Sequence, residues 1–156
     1  MKKLFTTVLS AVLCISMIGC ASTSSAASST AASKTIKVAV IKQLDHASLD
    51  EIAKAITTEL DAIAKKNGVT IDYGEVYSGQ NDQTTLKQIS DQAIAAGVDV
   101  IIPIATTAAQ VAANSAEDSS TPVVYAAISD PEAAGLTGLK NVTGTSDALN
   151  TKQICD

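Results

Sequence analysis

Two adjacent threonines, Thr106 and Thr107, follow the apolar run VDVIIPIA and open the alanine-rich segment TTAAQVAANSA. At a helix start the first backbone N–H groups lack partners and the peptide dipoles favour negative charge. Two hydroxyls placed there could cradle a carboxylate. The same pair also reads as an ordinary helix cap. Further on, TPVVYAAI runs into Ser129, Asp130 and Pro131, presenting a hydroxyl and an acid at the end of an apolar stretch. Asp130 could pair with an amine, or simply make the Asp-Pro turn. His46, the one histidine in the chain, could donate to a bound molecule or sit in a loop.

These residue types suit recognition of a small polar molecule better than catalysis. No GxGxxG follows the first apolar strand and no Walker A motif occurs, so a phosphate-cradling loop is not supported. No Gly-x-Ser-x-Gly elbow is present. One histidine and three scattered cysteines make no metal-ligand pattern. A phospho-accepting receiver would need an aspartate at the end of the VDVIIPI strand, and IIPIATT has none. The expectation is a protein that is not an enzyme, with no cofactor and no metal.

The 156 residues are 46% apolar and 17% charged, enough for one ordinary globular domain. Eleven lysines, no arginine and sixteen acids give a net charge of −5, which argues against a nucleic-acid partner because phosphate neutralisation needs a basic face. Aromatic residues make up only 3%, so a stacking pocket is thinly supplied.

Residues 1–19 read as a secretory signal peptide: MKK is a positive start, and LFTTVLSAVLCISMIG is an apolar stretch diluted with Ser and Thr. It is short for a bilayer span, which takes about 20 apolar residues. The stretch ends in MIGC, which resembles the lipobox of bacterial lipoproteins, where the cysteine, here Cys20, is lipidated and becomes the new N-terminus. The other reading is an ordinary cleaved signal with an incidental cysteine. Residues 20–34 then form a flexible Ala/Ser/Thr tether, and residues 35–156 the folded part. Cys155 would have no disulfide partner in such a mature chain.

The elements that must position the polar residues alternate regularly. IKVAVIK (36–42) reads as a buried strand and SLDEIAKAITTELDAIAKKNG as a helix, with Ser48 and Glu51 as a capping box. VTIDYGEVY (69–77) reads as one strand, QTTLKQISDQAIAAG as a helix, and VDVIIPI as a strand buried on both faces. TTAAQVAANSA is a third helix, PVVYAAI a fourth strand and NVTGTSD a short fifth. Strands joined by helices of this length make right-handed parallel crossovers. The expected fold class is therefore α/β, a doubly wound, mostly parallel sheet in the flavodoxin-like order 2-1-3-4-5.

In such sheets ligands bind beyond the carboxyl ends of the strands. Those ends carry KQLDH (42–46), SGQND (78–82), ATT (105–107), SDP (129–131) and TSD (145–147). The opposite edge is built from NG and AAG turns and the EDSSTP loop, ordinary turn chemistry. Loops are polar in any case, so the contrast between the edges could be coincidence.

The blocks KVAVIKQLDHASLDEI, NDQTTLKQISDQAIAAGVDVIIPIATTAAQVAA, VVYAAISDPEAAGL and NVTGTSD resemble successive blocks of ABC transporter substrate-binding lipoproteins of the tryptophan/tyrosine-binding type. The resemblance runs from Thr35 to about Asp147. It implies one lobe of a type I periplasmic-binding fold, in which two α/β lobes close over a small solute and present it to a membrane permease. By that resemblance Gln43, His46, Asn81, Thr106, Thr107, Ser129, Asp130, Thr145 and Asp147 line one wall of a cleft. The carboxylate of an amino acid then falls at Thr106 and Thr107, and its amine near Asp130. The partners implied are a small solute, ABC permease subunits and the membrane through the lipid. The location implied is extracytoplasmic, anchored by the N-terminal lipid.

The family's chains are longer, and this one stops at LNTKQICD where they continue into a helix, the hinge and the second lobe. The expectation is an N-terminal lobe truncated before the hinge. A single lobe encloses one side of a ligand, so its affinity is expected to be weak. Two other readings compete: a surface lipoprotein interaction module with no small ligand, and a flavodoxin-like signalling or enzymatic domain. The missing acidic site and cofactor loop count against the last.

Overall fold

A computed structural model describes residues 34–148. The chain divides into two units, Met1–Ala31 and Ala32–Asp156, and every described residue belongs to the second. The expected signal peptide, Cys20, most of the tether and the closing segment LNTKQICD with Cys155 lie outside the described residues.

The β-branched run Thr35–Lys42 forms β1, with Val38, Ala39, Val40 and Ile41 all buried. It feeds α1 (Ala47–Asn67), which turns Leu49, Ile52, Ile56 and Leu60 onto one face and ends at Gly68 with Lys65 and Lys66 in the last turn. The expected capping box is not formed. His46 is the N-cap, and its Nδ1 accepts from the Ser48 N–H at 3.3 Å. The helix starts at Ala47, so Ser48 already lies inside its first turn and its hydroxyl is past the cap position.

The stretch read as one strand from 69 to 77 is two, β2 (Thr70–Asp72) and β3 (Val76–Ser78). Both pair in parallel with β1, β2 through Thr35–Lys37 and β3 through Val40–Lys42. Gly74 lies between them at φ 55°, a left-handed residue that no continuous strand accommodates. After β3 come α2 (Gln83–Ala95), β4 (Val100–Ile104), α3 (Thr106–Ser115), β5 (Val123–Ile128) and β6 (Val142–Ser146).

The sheet order is β2-β1-β4-β5-β6, with β3 also on β1 and every recorded pairing parallel. With β2 and β3 counted as one interrupted strand, this is the flavodoxin-like order expected from the sequence. One face carries α1, packed over Val38, Val40 and Ile104. Other apolar contacts join Leu86 and Ala93 of α2 and Ala108 and Ala112 of α3 to Ala39, Ile41, Ile101 and Val123. Small alanines let α3 approach the sheet closely. A third cluster packs Ala109 and Ala113 against Tyr125, Ile128 and Leu136.

The two central strands are irregular near their carboxyl ends. Pro103 brings no N–H to β4, a strand with neighbours on both sides. The β5–β6 register shifts between Tyr125 and Ile128, where Ala127 has φ 58°. Bulges of this kind re-aim the residues beyond them, and here those residues are Ser129 and Asp130.

Candidate functional site

All four non-glycine residues with positive φ among the described residues lie toward one side of the sheet, at its carboxyl edge: Gln80 and Asn81 after β3, Ala105 after β4, and Ala127 near the end of β5. Such conformations persist only where surrounding structure imposes them, and they concentrate at functional sites. The amino edge of the sheet has none.

Gln43, one residue past β1, holds this edge together. Its backbone N–H donates to the Ile104 carbonyl at 3.2 Å, and its own carbonyl accepts from the Asn81 N–H at 2.8 Å. Its side-chain Nε2 donates to Asn81 Oδ1 at 2.9 Å, while Oε1 accepts from the Thr107 N–H at 3.1 Å. One side chain therefore bridges the loop after β3 and the start of α3.

The start of α3 is unusual. Its N-cap is Ala105, at φ 77° and ψ 162°, with no side-chain cap. Neither threonine caps the helix, so the plain capping reading fails; the Gln43 amide takes that place at Thr107. Thr106 is exposed and Thr107 half-buried. Ala105 is pinned through its N–H to the Ala126 carbonyl at 3.1 Å, which links the strained ends of β4 and β5.

On the other side of Gln43, Lys42 reaches Asp45 at 3.0 Å and also pairs with Asp50 in the first turn of α1. Asp45 in turn accepts from Gln80 Nε2 at 2.6 Å, and Gln80 Nε2 also reaches Ser78 Oγ at 3.0 Å. The hydrogen bond from Gln80, then that from Lys42, hold the Asp45 carboxyl below its ordinary value. The hydrogen bond to Asp50, then that to Asp45, hold the Lys42 ammonium above its own. Asp82 caps α2, accepting from the Thr85 N–H at 2.7 Å and its hydroxyl at 2.8 Å, and those bonds lower its pKa.

The structure thus brings Gln43, Asn81, Thr106 and Thr107 together. Asp130 is exposed at the same edge, but one of its oxygens accepts from the Ala133 N–H at 2.9 Å, as the turn reading anticipated. Ser129 is exposed, and its carbonyl accepts from the Ser146 hydroxyl at 3.3 Å. The Asp147 N–H donates to the Ile128 carbonyl at 3.2 Å. Thr145 is exposed on β6. His46 spends Nδ1 on its cap, which leaves Nε2–H as its remaining donor. No tyrosine joins the cluster: Tyr125 is buried under β6, Tyr73 donates to Asp61 at 3.2 Å, and Tyr77 lines a separate hollow with Tyr73, Lys37 and Gln92.

Reading the sequence alone missed the strain at Ala105 and Ala127 and the Lys42–Asp45–Gln80 network. Nothing in an alanine signals a left-handed backbone. The network had a visible clue in KQLD, a lysine at a strand end with an acid three residues later. Among the described residues, no group of three His, Cys, Asp or Glu side chains is placed to hold a metal ion, and no helix is long and apolar enough to cross a membrane.

The family model for ABC transporter substrate binding proteins matches residues 37–156. Among solved structures, an ABC domain from Streptococcus pneumonia in complex with L-Trp is 37% identical over 77% of this chain, with a TM-score of 0.64. A ligand-free, open substrate binding protein with adhesive properties from Clostridium difficile is 31% identical over 76% of this chain, with a TM-score of 0.60. A conserved domain protein from Vibrio cholerae is 29% identical over 78%, with a TM-score of 0.63. This chain spans only 41% of each of the first two and 42% of the third. No curated protein matches it.

Proposed function

The chain belongs to the ABC transporter substrate binding protein family, and from that premise we propose that residues 35–148 form one wall of a solute cleft in an extracytoplasmic protein that delivers a small molecule to a membrane permease. The solute is an amino acid, and the likeness to a structure holding L-Trp favours an aromatic one. The lipidated Cys20 anchors the protein to the membrane. The chain performs no chemistry on its solute.

The observation that carries this reading is the convergence of Gln43, Asn81 and Thr107 on one strained edge of the sheet. Amide side chains can both donate and accept, so they suit a zwitterion. The solute carboxylate sits at the start of α3, near Thr106 and Thr107, where the helix dipole favours negative charge. Asp130, with one oxygen committed to its turn, offers the other to the solute amine. His46, Ser129, Thr145 and Asp147 complete the rim.

The test is thermal unfolding and calorimetric titration of the chain against a panel of amino acids, with L-tryptophan and L-tyrosine included. A melting shift with one or two of them supports the reading. If no amino acid shifts the melt, even at millimolar concentration, the solute assignment falls and the interaction-module reading gains.

A further inference from the structure

We propose that Lys42, Asp45 and Gln80 form a positioning latch that holds the loop 79–82 in its left-handed course and so sets where Asn81 meets Gln43. As far as it concerns solute, this rests on the cleft reading above.

Gln80 and Asn81 are consecutive non-glycine residues at φ 52° and 57°. Asparagine visits this region more readily than most residues, but glutamine does not, so contacts from outside the loop must hold Gln80 there. Three contacts do so. The Gly79 N–H donates to the Lys42 carbonyl at 2.9 Å, and the Asn81 N–H to the Gln43 carbonyl at 2.8 Å, which fasten the loop to the end of β1. The Gln80 amide is then gripped by Asp45 at 2.6 Å and Ser78 at 3.0 Å. Asp45 is itself oriented by Lys42, whose side chain is only 11% exposed while that of Asp45 is 56% exposed.

The loop has little room to adjust. Gly79 is buried against Leu86, so the turn cannot settle deeper, and the Asp82 N–H closes it on the Gly79 carbonyl at 2.8 Å. Release of Gln80 therefore frees rotation at residues 80 and 81 above all. Asn81 Oδ1 is the acceptor for Gln43 Nε2, and the same Gln43 amide caps Thr107. Displacement of Asn81 is felt at the start of α3. The latch residues touch the solute position only through Asn81 and Gln43.

Ion pairs with such exposed partners contribute little to global stability. A latch and a decorative surface pair are separated on that basis. The variants are Asp45→Ala and Gln80→Ala, each of which removes the grip while residue 80 keeps a Cβ that resists positive φ. The first readout is amide hydrogen exchange of the solute-free chain, residue by residue. The expected result is exchange about tenfold faster at Asn81 and Thr107 in both variants, with the melting temperature within about 3 °C of the parent. The second readout is L-tryptophan affinity, expected to weaken about tenfold. Unchanged exchange at Asn81 and Thr107 overturns the latch. So does protection lost evenly across the sheet, which would make these residues merely structural. If the parent chain does not bind L-tryptophan, the cleft reading fails for that solute while solute-free exchange still decides the latch.

Discussion

The Gln43 side-chain carbonyl accepts a hydrogen bond from the Thr107 backbone N–H at 3.1 Å, so the residue just past β1 caps a helix through an N–H 64 residues further on. A helix start without a side-chain cap of its own depends on this distant amide. Gln43→Glu keeps an acceptor for Thr107 but loses the donor to Asn81 and adds a negative charge at the helix start. The fold should tolerate the change, because the dipole favours that charge. An amino-acid carboxylate in the same place should be repelled, weakening L-tryptophan binding by about tenfold or more. Calorimetric titration of parent and variant checks this. Equal affinities would remove the carboxylate from the Thr106–Thr107 position.

Ala105 should gain from losing its side chain. Its φ of 77° and ψ of 162° lie in a region that is essentially glycine's own. Ala105→Gly relieves strain worth roughly 1–3 kcal/mol, less about 0.4–1 kcal/mol for the freer unfolded chain. The net expectation is a stabilisation of about 1 kcal/mol, read as a higher urea midpoint. A lower midpoint would mean that the strain is relieved by contacts of the alanine methyl group.

Two glycines should respond differently to alanine. A Cβ at Gly79 would collide with the side chain of Leu86, which is fully buried at 0% exposure and has nowhere to go. Gly79→Ala should therefore cost about 1–3 kcal/mol through overpacking. At Gly74 a Cβ meets nothing within 4 Å, and the only penalty is the left-handed backbone at φ 55°, about 1 kcal/mol. Denaturant unfolding should rank Gly79→Ala as the more damaging. The reverse order would place Leu86 in softer packing than its burial indicates.

Much of the fold was legible because hydrophobic periodicity and turn residues report directly on burial. The runs Ile36–Lys42, Val100–Ile104 and Val123–Ile128 are β-branched or apolar and became strands, and their spacing by helices dictated the parallel order. The break at Gly74 was less legible, since a glycine inside a strand pattern signals a bulge, a close approach or a stop alike. The candidate site was legible as a set of strand ends. Its internal wiring was not, because hydrogen bonds such as Gln43 to Asn81 join residues 38 apart. The capping pattern at Ser48 and Glu51 likewise carries no sign that the helix begins one residue earlier, at Ala47, with His46 as its cap.

Acid should weaken this edge through its depressed carboxyls. The Thr85 N–H and hydroxyl hold the Asp82 carboxyl below its ordinary value of 3.8, and Gln80 with Lys42 does the same for Asp45. A carboxyl whose folded pKa is depressed adds stability that is fully present above its unfolded value and is lost as the pH falls through its folded value. The melting temperature should therefore be level from neutrality to about pH 5 and decline as the pH drops below about 4. The raised Lys42 ammonium works in the opposite sense, its contribution fading only as alkali approaches the folded value. Asp82→Asn separates the α2 cap from the other carboxyls, because asparagine still accepts from Thr85 but cannot titrate. Its acid limb should be shallower than the parent's while the neutral melting temperature stays close. Superimposable acid limbs would exclude Asp82 as a contributor and leave the decline to Asp45 and to Asp91, whose carboxyl is also held low, first by its hydrogen bond from Lys87.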